Sequence, residues 1–353
     1  MCRPRRTVYE WWDCDLRDNN GIGGMTEMSG KIKILFVYPY LSSFVKSDLE
    51  ILQRHFDVTL IQWTGRRVLL RVIWHILRTD LSFIWFAGGH AARVVIFSKF
   101  FRKKSIVVVG GFEVANVPEI NYGLMLSPKS ARRVKYVLEN ADKVLAVSEF
   151  NKKEILKHTN SNDKNIELVY NGVDCNKFKP GGEKENLVIT VGIISELVVK
   201  RKGFETFVKA AKYLPNTKFI LIGPYLDNSI EPLKTRAPLN VEFTDFVSEM
   251  DLLKFYQRAK VYCQLSIYES FGMALAEAMA CECVPIVTDN AALPEVVGDT
   301  GFCVPYGDPK TTAEAIKEAM RSEKGKEARE RIENMFPFEK REKKLISEIK
   351  SLL

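Results

Sequence analysis

The chain has 353 residues, 46% of them hydrophobic and 27% charged, with a formal net charge of +8. That length exceeds one ordinary core and suits two domains of about 150 residues, and the composition excludes a disordered or fibrous chain. Seven scattered cysteines without a CxxC pair, and only four histidines, exclude a zinc ribbon and a disulfide scaffold and point to reduced thiols.

Residues 1–30 hold Trp11, Trp12, acids and glycines without any period, and they read as a disordered leader or a misassigned start, with Met25 or Met28 as the true beginning. From residue 31 short β-branched runs alternate with amphipathic stretches. Strands are predicted at 31–38, 57–63, 81–86, 105–111 and 143–148, and again at 186–192, 217–223, 240–246, 260–266 and 283–289. Helices fall between them, among them 203–213 with Phe204, Phe207, Val208 and Ala211 on one face. Continuous apolar strands imply burial on both faces of a parallel sheet.

The segment NGVDCNKFKPGGEKE (171–185) gathers Gly, Pro, Asn and charge and separates the halves. The expected fold is α/β: two Rossmann-like, doubly wound domains facing across a cleft. The first spans 31–175, the second 176–335, and a helix at 336–353 packs back on the first. Ligands of such sheets bind outside the carboxyl ends of the strands.

The run from 81 to 97 is the longest apolar one, and Gly88, Gly89, His90 and Arg93 interrupt it. It falls short of the roughly 18 residues that a spanning helix needs. The expectation is a cytoplasmic protein. Its charge is lopsided: residues 31–170 carry 22 basic and 12 acidic side chains, whereas 171–353 carry 26 and 27. An anionic partner for the first half follows. The stretch RRVLLRVIWHILR (66–78) sets Arg67, Arg71, Trp74 and Arg78 at helical spacing, which suits the inner face of an anionic membrane. It equally suits an ordinary helix with a basic edge. No aromatic platform or zinc finger speaks for nucleic acid.

The densest chemical signal is YESFGMALAEAMACECVPIVTDNAALPEVV (268–297). A strand ends near Ser266, the chain turns at Phe271-Gly272, and a helix begins at about Met273. Glycine there lets a ligand approach the backbone, and the free amides of the helix start favour phosphate. Glu269 lies in the turn and Glu277 inside the helix, and carboxylates accept hydroxyl hydrogen bonds strongly, so a polyol ligand fits both. A second element, VGIISELVVKRKGFETFVKAA (191–211), ends a strand at Gly192 and places Lys200, Arg201 and Lys202 before Gly203 and a helix. Lys202 at a helix start would neutralise a diphosphate. Taken singly, a helix cap with a solvated Glu, or a solvated basic turn, explains each element as well.

Together these elements resemble the retaining glycosyltransferases of family 4, whose architecture is GT-B. Glu269-SFGMALA-Glu277 matches that family's pair of Glu separated by seven residues. NGVD with a following Phe and Pro (171–180), LIG (221–223), 246–266 and 292–308 extend the likeness. The resemblance implies that Lys202 binds the donor diphosphate, helped by the backbone of Phe271, Gly272 and Met273. Glu269 would take hydroxyls of the donor sugar and Glu277 those of the ribose, while Phe246 and Val247 border the nucleobase. It implies a UDP- or GDP-sugar donor, a glycan or lipid-linked acceptor, no cofactor and no metal, in line with the lack of a DxD motif from residue 31 on. A nucleotide-sugar epimerase or hydrolase, or a non-catalytic sugar-nucleotide binder, remains open.

Three positions depart from the family pattern. Ile193 stands after Gly192 where Arg is common, leaving Lys200 or Arg201 to supply that charge. The loop at 39–48 lacks the usual glycine. The stretch VVVGGFEVANVPE (107–119) lacks the His that contacts the donor sugar in many relatives, which leaves His90 as the candidate.

Overall fold

The computed structural model describes residues 31–159 and 165–353; the leader expected at 1–30 lies outside the described residues. The first sheet contains β1 (Lys33–Tyr38), β2 (Asp57–Gln62), β3 (Leu81–Trp85), β4 (Lys104–Val109), β5 (Lys143–Ala146) and β6 (Ile166–Leu168). The second contains β7 (Glu185–Val191), β8 (Lys218–Ile222), β9 (Val241–Phe243), β10 (Ala259–Gln264), β11 (Val284–Thr288) and β12 (Phe302–Val304). Their orders are β2-β1-β3-β4-β5-β6 and β12-β11-β10-β7-β8-β9, and the strand pairs run parallel. Helical crossovers cover both faces, so β3 and β11 are buried along their whole length. The two-domain α/β architecture is the one the alternating pattern predicts.

In the second sheet the strand order reverses between β7 and β10, and in the first between β1 and β3. Such reversals open crevices at the carboxyl ends of the strands. The segments after β7 and β10 are the two that carry the chemical motifs.

The structure corrects the sequence reading in two places. β6 and β12, three residues each, are missing from the predicted strands, whereas β9, equally short and also at a sheet edge, falls within the strand predicted at 240–246. The helix predicted from 203 is preceded by another, Glu196–Lys202, which ends at Gly203 with φ +65° and gives way to Phe204–Ala210. Lys202 therefore lies in the last turn of a helix and not at a helix start. A left-handed glycine behind three basic residues is a favourable way to end a helix, since cations there oppose the negative pole of its dipole.

The C-terminal helix Phe338–Lys350 packs against the first helix, Ser43–His55. Between them Arg341 donates to both oxygens of Asp48 (2.6 and 2.7 Å) and to the carbonyl of Val169, all buried, and to the part-buried carbonyl of Tyr170. Across the lobes, Glu295 accepts from the amides of Glu149 (2.7 Å) and Phe150 (3.0 Å) at the start of helix Glu149–Lys157. Removing one partner of a buried pair strands the other charge. Arg341→Ala should therefore lower unfolding stability by about 3–5 kcal/mol in urea titrations, and Asp48→Asn in the same background should recover part of the loss.

Candidate active site

The site is built on the strand reversal of the second sheet. Behind β7, Gly192 leaves room for the stem of Lys202: a Cβ at Gly192 would stand 2.7 Å from Lys202 Cδ. The lysine lies over the strand end and donates to Val191 O at 3.2 Å. Behind β10, the turn at 265–272 brings Glu269 to the same place. Glu269 Oε1 accepts from Arg201 Nη1 at 2.8 Å, Gln264 Nε2 at 3.0 Å and Ser266 Oγ at 3.2 Å, with Lys202 Nζ at 3.5 Å. The three ionic side chains are 14–15% exposed.

Their electrostatics are coupled. Burial alone pushes the Glu269 carboxyl up, but Arg201 and Lys202 outweigh it and hold the group below its ordinary value. Burial, seconded by Arg201, pulls Lys202 down against the attraction of Glu269. The crevice thus holds two cations and one carboxylate, an arrangement with a residual positive charge that can accept an anion. Arg201 also donates to Tyr268 O (3.1 Å), and its guanidinium lies 5.3 Å from the ring centre of Tyr122 in the first lobe. Of the two cations considered as stand-ins at Ile193, Arg201 reaches the site, while Lys200 pairs with Glu196 on the exposed face of its helix.

Glu277 occupies a different wall. It projects from helix Met273–Ala280, accepts from Tyr256 Oη at 3.2 Å, and borders a cavity of about 620 Å³ between the lobes. Lys46 of the first helix, Lys177, Glu249 and Met273 line the same space. Burial, with only partial relief from the Tyr256 hydroxyl, pushes the Glu277 carboxyl up to about 7.

The remaining predicted residues divide. Gly272, with φ +96°, precedes the helix, but the Phe271 ring packs into the core on Phe336 at 5.3 Å, so only its backbone is free for a ligand. Phe246, half-exposed, and Val247, packed on the core, follow β9. His90 Nε2 lies 2.8 Å from Trp85 O and its ring 6.3 Å from that of Trp63. Burial, together with Arg93, lowers its pKa.

Sequence reasoning missed Gln264, Ser266, Tyr122 and Tyr256. Gln264 had a signal: it is a polar side chain inside an otherwise apolar buried strand, and Tyr262 Oη donates to it at 2.9 Å. Among the described residues, no group of three or more His, Cys, Asp or Glu is placed to hold a metal.

Comparison with known proteins finds matches over both halves of the chain. Residues 66–177 match the model described as Glycosyltransferase Family 4, and residues 175–335 match Glycosyl transferases group 1. A capsular polysaccharide biosynthesis glycosyltransferase, CapM, of Staphylococcus aureus is 31% identical over 239 residues, which is 58% of this chain and 61% of that protein. A phosphatidylinositol N-acetylglucosaminyltransferase component of Arabidopsis thaliana is 24% identical over 195 residues, 53% of this chain and 43% of that protein. The chain spans roughly half the length of such curated relatives. Among solved structures, Anabaena Alr3699/HepE in complex with UDP and glucose superposes with TM-score 0.78 at 16% identity, covering 91% of this chain and all of that one. Sucrose-phosphate synthase from Thermosynechococcus elongatus does so with TM-score 0.73 at 17% identity, covering 91% and 99%. At those identities the likeness concerns the fold. With both halves matched by models of glycosyltransferases and both sheets arranged as in GT-B structures, the chain resembles the family 4-type glycosyltransferases of GT-B fold.

Proposed function

We propose that the protein is a retaining glycosyltransferase that moves a hexose from a UDP- or GDP-sugar to a lipid-linked or polysaccharide acceptor, without a metal. The observation that carries this reading is the meeting of Arg201 and Lys202 with Glu269 at the β7–β10 crevice. Two cations fixed in a largely water-free place stabilise the charge that develops on a leaving diphosphate, and they do so without reorganising in the transition state. Glu269 then has its other oxygen for a sugar hydroxyl, and Glu277 takes the ribose from the cavity wall. Capsular polysaccharide and phosphatidylinositol glycosylation in the names of relatives support a glycan or lipid acceptor, and the UDP complexes of structural neighbours support the donor class.

Product analysis with and without acceptor tests the reaction itself. Sugar released equally in both would favour hydrolysis, and an altered nucleotide sugar would favour epimerisation. Lys202→Ala and Glu277→Ala should weaken donor binding by about 1.5–3 kcal/mol each, the usual loss for a charged hydrogen bond, whereas Glu269→Ala should chiefly lower turnover. Calorimetric titration and a turnover assay in excess EDTA separate these effects. Parent-like donor binding by Glu277→Ala would refute the ribose assignment, and activity abolished by EDTA would refute metal independence.

Glu277 adds a pH signature. A hydroxyl donates to the ionised carboxylate, and burial raises this group to about 7 in the free protein. Below that value most copies are protonated and poor acceptors, so donor affinity should rise as pH climbs through 7 and level off above it. The same rise should disappear in Glu277→Gln.

The enzyme is further proposed to work at the inner face of an anionic membrane. Residues 58–112 hold nine basic side chains and one acid, Asp80. Leu70 and Trp74 are exposed on helix Leu69–Ile76, and Ile96 and Phe100 on the adjoining helix Gly89–Phe100. Arg78 stacks on Trp74 at 3.7 Å. No helix among the described residues is long and apolar enough to cross a membrane, so the contact would be peripheral. Each Lys or Arg near such a surface contributes about 1 kcal/mol, and salt screens exposed charges over about 10 Å at 0.1 M. Co-sedimentation should therefore show pelleting with anionic vesicles, weaker at high salt and weaker when Arg66, Arg67, Arg71 and Arg78 are neutralised, with donor binding unchanged. Equal pelleting with neutral vesicles, or none with either, would refute it.

A further inference from the structure

Behind β4 the chain reads GGFE (110–113), and its last residue is an acid that the site described above does not use. Glu113 is 2% exposed. Its Oε1 accepts from the amides of Ala87 (2.9 Å) and Gly110 (3.1 Å), while Oε2 is buried with no hydrogen-bond partner. Among the described residues four acids are buried: Asp48, Glu113, Glu154 and Glu348. Three of them have a cation, namely Arg341 for Asp48, Lys157 for Glu154 and Lys143 for Glu348. Glu113 has only backbone amides, and burial pushes its carboxyl up despite them. A buried carboxylate without a cation is costly, and a free oxygen on it calls for a donor that the protein itself does not supply.

The surroundings say what that donor is. Gly111 lies directly against the turn that carries Glu269: a Cβ there would stand 1.5 Å from Ser270 Oγ, so this approach admits glycine alone. Tyr268 Oη donates to Gly111 O at 3.4 Å. Tyr122, half-buried at the same junction, has its hydroxyl pushed up to about 12, first by desolvation and then by Glu269 and Glu113, against Arg201. Glu113 and Glu269 thus act on one hydroxyl from the two lobes.

We propose that Glu113 Oε2 accepts a hydrogen bond from a hydroxyl of the sugar carried by the donor, as the first-lobe counterpart of Glu269. A hydroxyl donated to Oε2 favours the ionised, accepting form that burial alone disfavours, and a hexose presents several hydroxyl donors. The amide clamp on Oε1 does not account for the acid, because the carbonyl of a Gln would accept from Ala87 and Gly110 equally well. This inference rests on the donor reading given above.

The test is Glu113→Gln, which keeps the clamp and puts an NH₂ where Oε2 stood. Melting is followed, with titrations of UDP, GDP, UDP-glucose, UDP-galactose, UDP-N-acetylglucosamine and GDP-mannose. The variant should melt no lower than the parent and bind bare UDP or GDP unchanged. Its affinity for the nucleotide sugar that the parent binds most tightly should fall about tenfold or more. Equal affinity for that nucleotide sugar overturns this proposal and leaves the donor reading standing. A parent that binds no member of the panel overturns both. A lower melting temperature, or loss of bare-nucleotide binding, would show that the carboxylate merely holds the loop and overturn the proposal as well.

Discussion

Two cations and a carboxylate share one largely buried crevice, and that constraint organises the second lobe. Arg201 and Lys202 could not remain there unpaired, since an uncompensated buried charge costs several kcal/mol. Glu269 compensates them, and it is held in turn by Gln264 and Ser266 from β10 and the turn behind it. The requirement reaches into the backbone. Gly192 must lack a side chain for Lys202 to lie over β7, and Gly203 must take a left-handed turn so that helix Glu196–Lys202 ends with both cations facing β10. A ligand phosphate entering the crevice would meet donors whose positions are already fixed, which is what preorganisation requires.

The two lobes are joined by contacts of unequal strength. At the back, the C-terminal helix is tied to the first lobe by the buried Arg341–Asp48 pair. At the front, Gly111 touches Ser270, Tyr268 makes one long hydrogen bond, and Glu295 accepts from the first amides of helix Glu149–Lys157. Glu295 meets the positive pole of that helix, an interaction worth a fraction of a buried ion pair. The ionic connection therefore joins the two helices that border the Glu277 cavity, and the contacts beside Glu269 are weaker ones.

Much of this is legible in the sequence, for identifiable reasons. Parallel strands are mostly continuous apolar runs, so ten of the twelve are readable, whereas β6 and β12 are not. The pairing of Glu269 with Glu277 at a Gly turn carries its own spacing and stands out at once. The helix Glu196–Lys202 does not, because ELVVKRK is short and its basic end reads as a solvated turn. A His at a strand-to-helix turn looks the same whether its ring meets a ligand or a backbone carbonyl, and only the structure sets His90 Nε2 beside Trp85 O. Glu113 is invisible for a related reason. Its surroundings are set by Ala87, Gly110 and Ser270, which no local pattern brings together, and GGFE reads only as a turn.

The charge asymmetry of the chain can now be placed in physical terms. The cations that face the crevice, Arg201 and Lys202, belong to the second half, which is close to neutral overall. The excess of the first half lies instead on exposed helices whose cations include Arg66, Arg67 and Arg71, beside exposed Leu70 and Trp74. The positive charge is thereby divided between two media. The crevice pair works at low dielectric, where fixed geometry selects one ligand and salt intervenes little. The surface cations work in water, where attraction is diffuse, indifferent to detailed shape and screened within a Debye length. A small soluble donor suits the first medium and an extended anionic surface the second, so the two kinds of positive charge need not compete for the same partner.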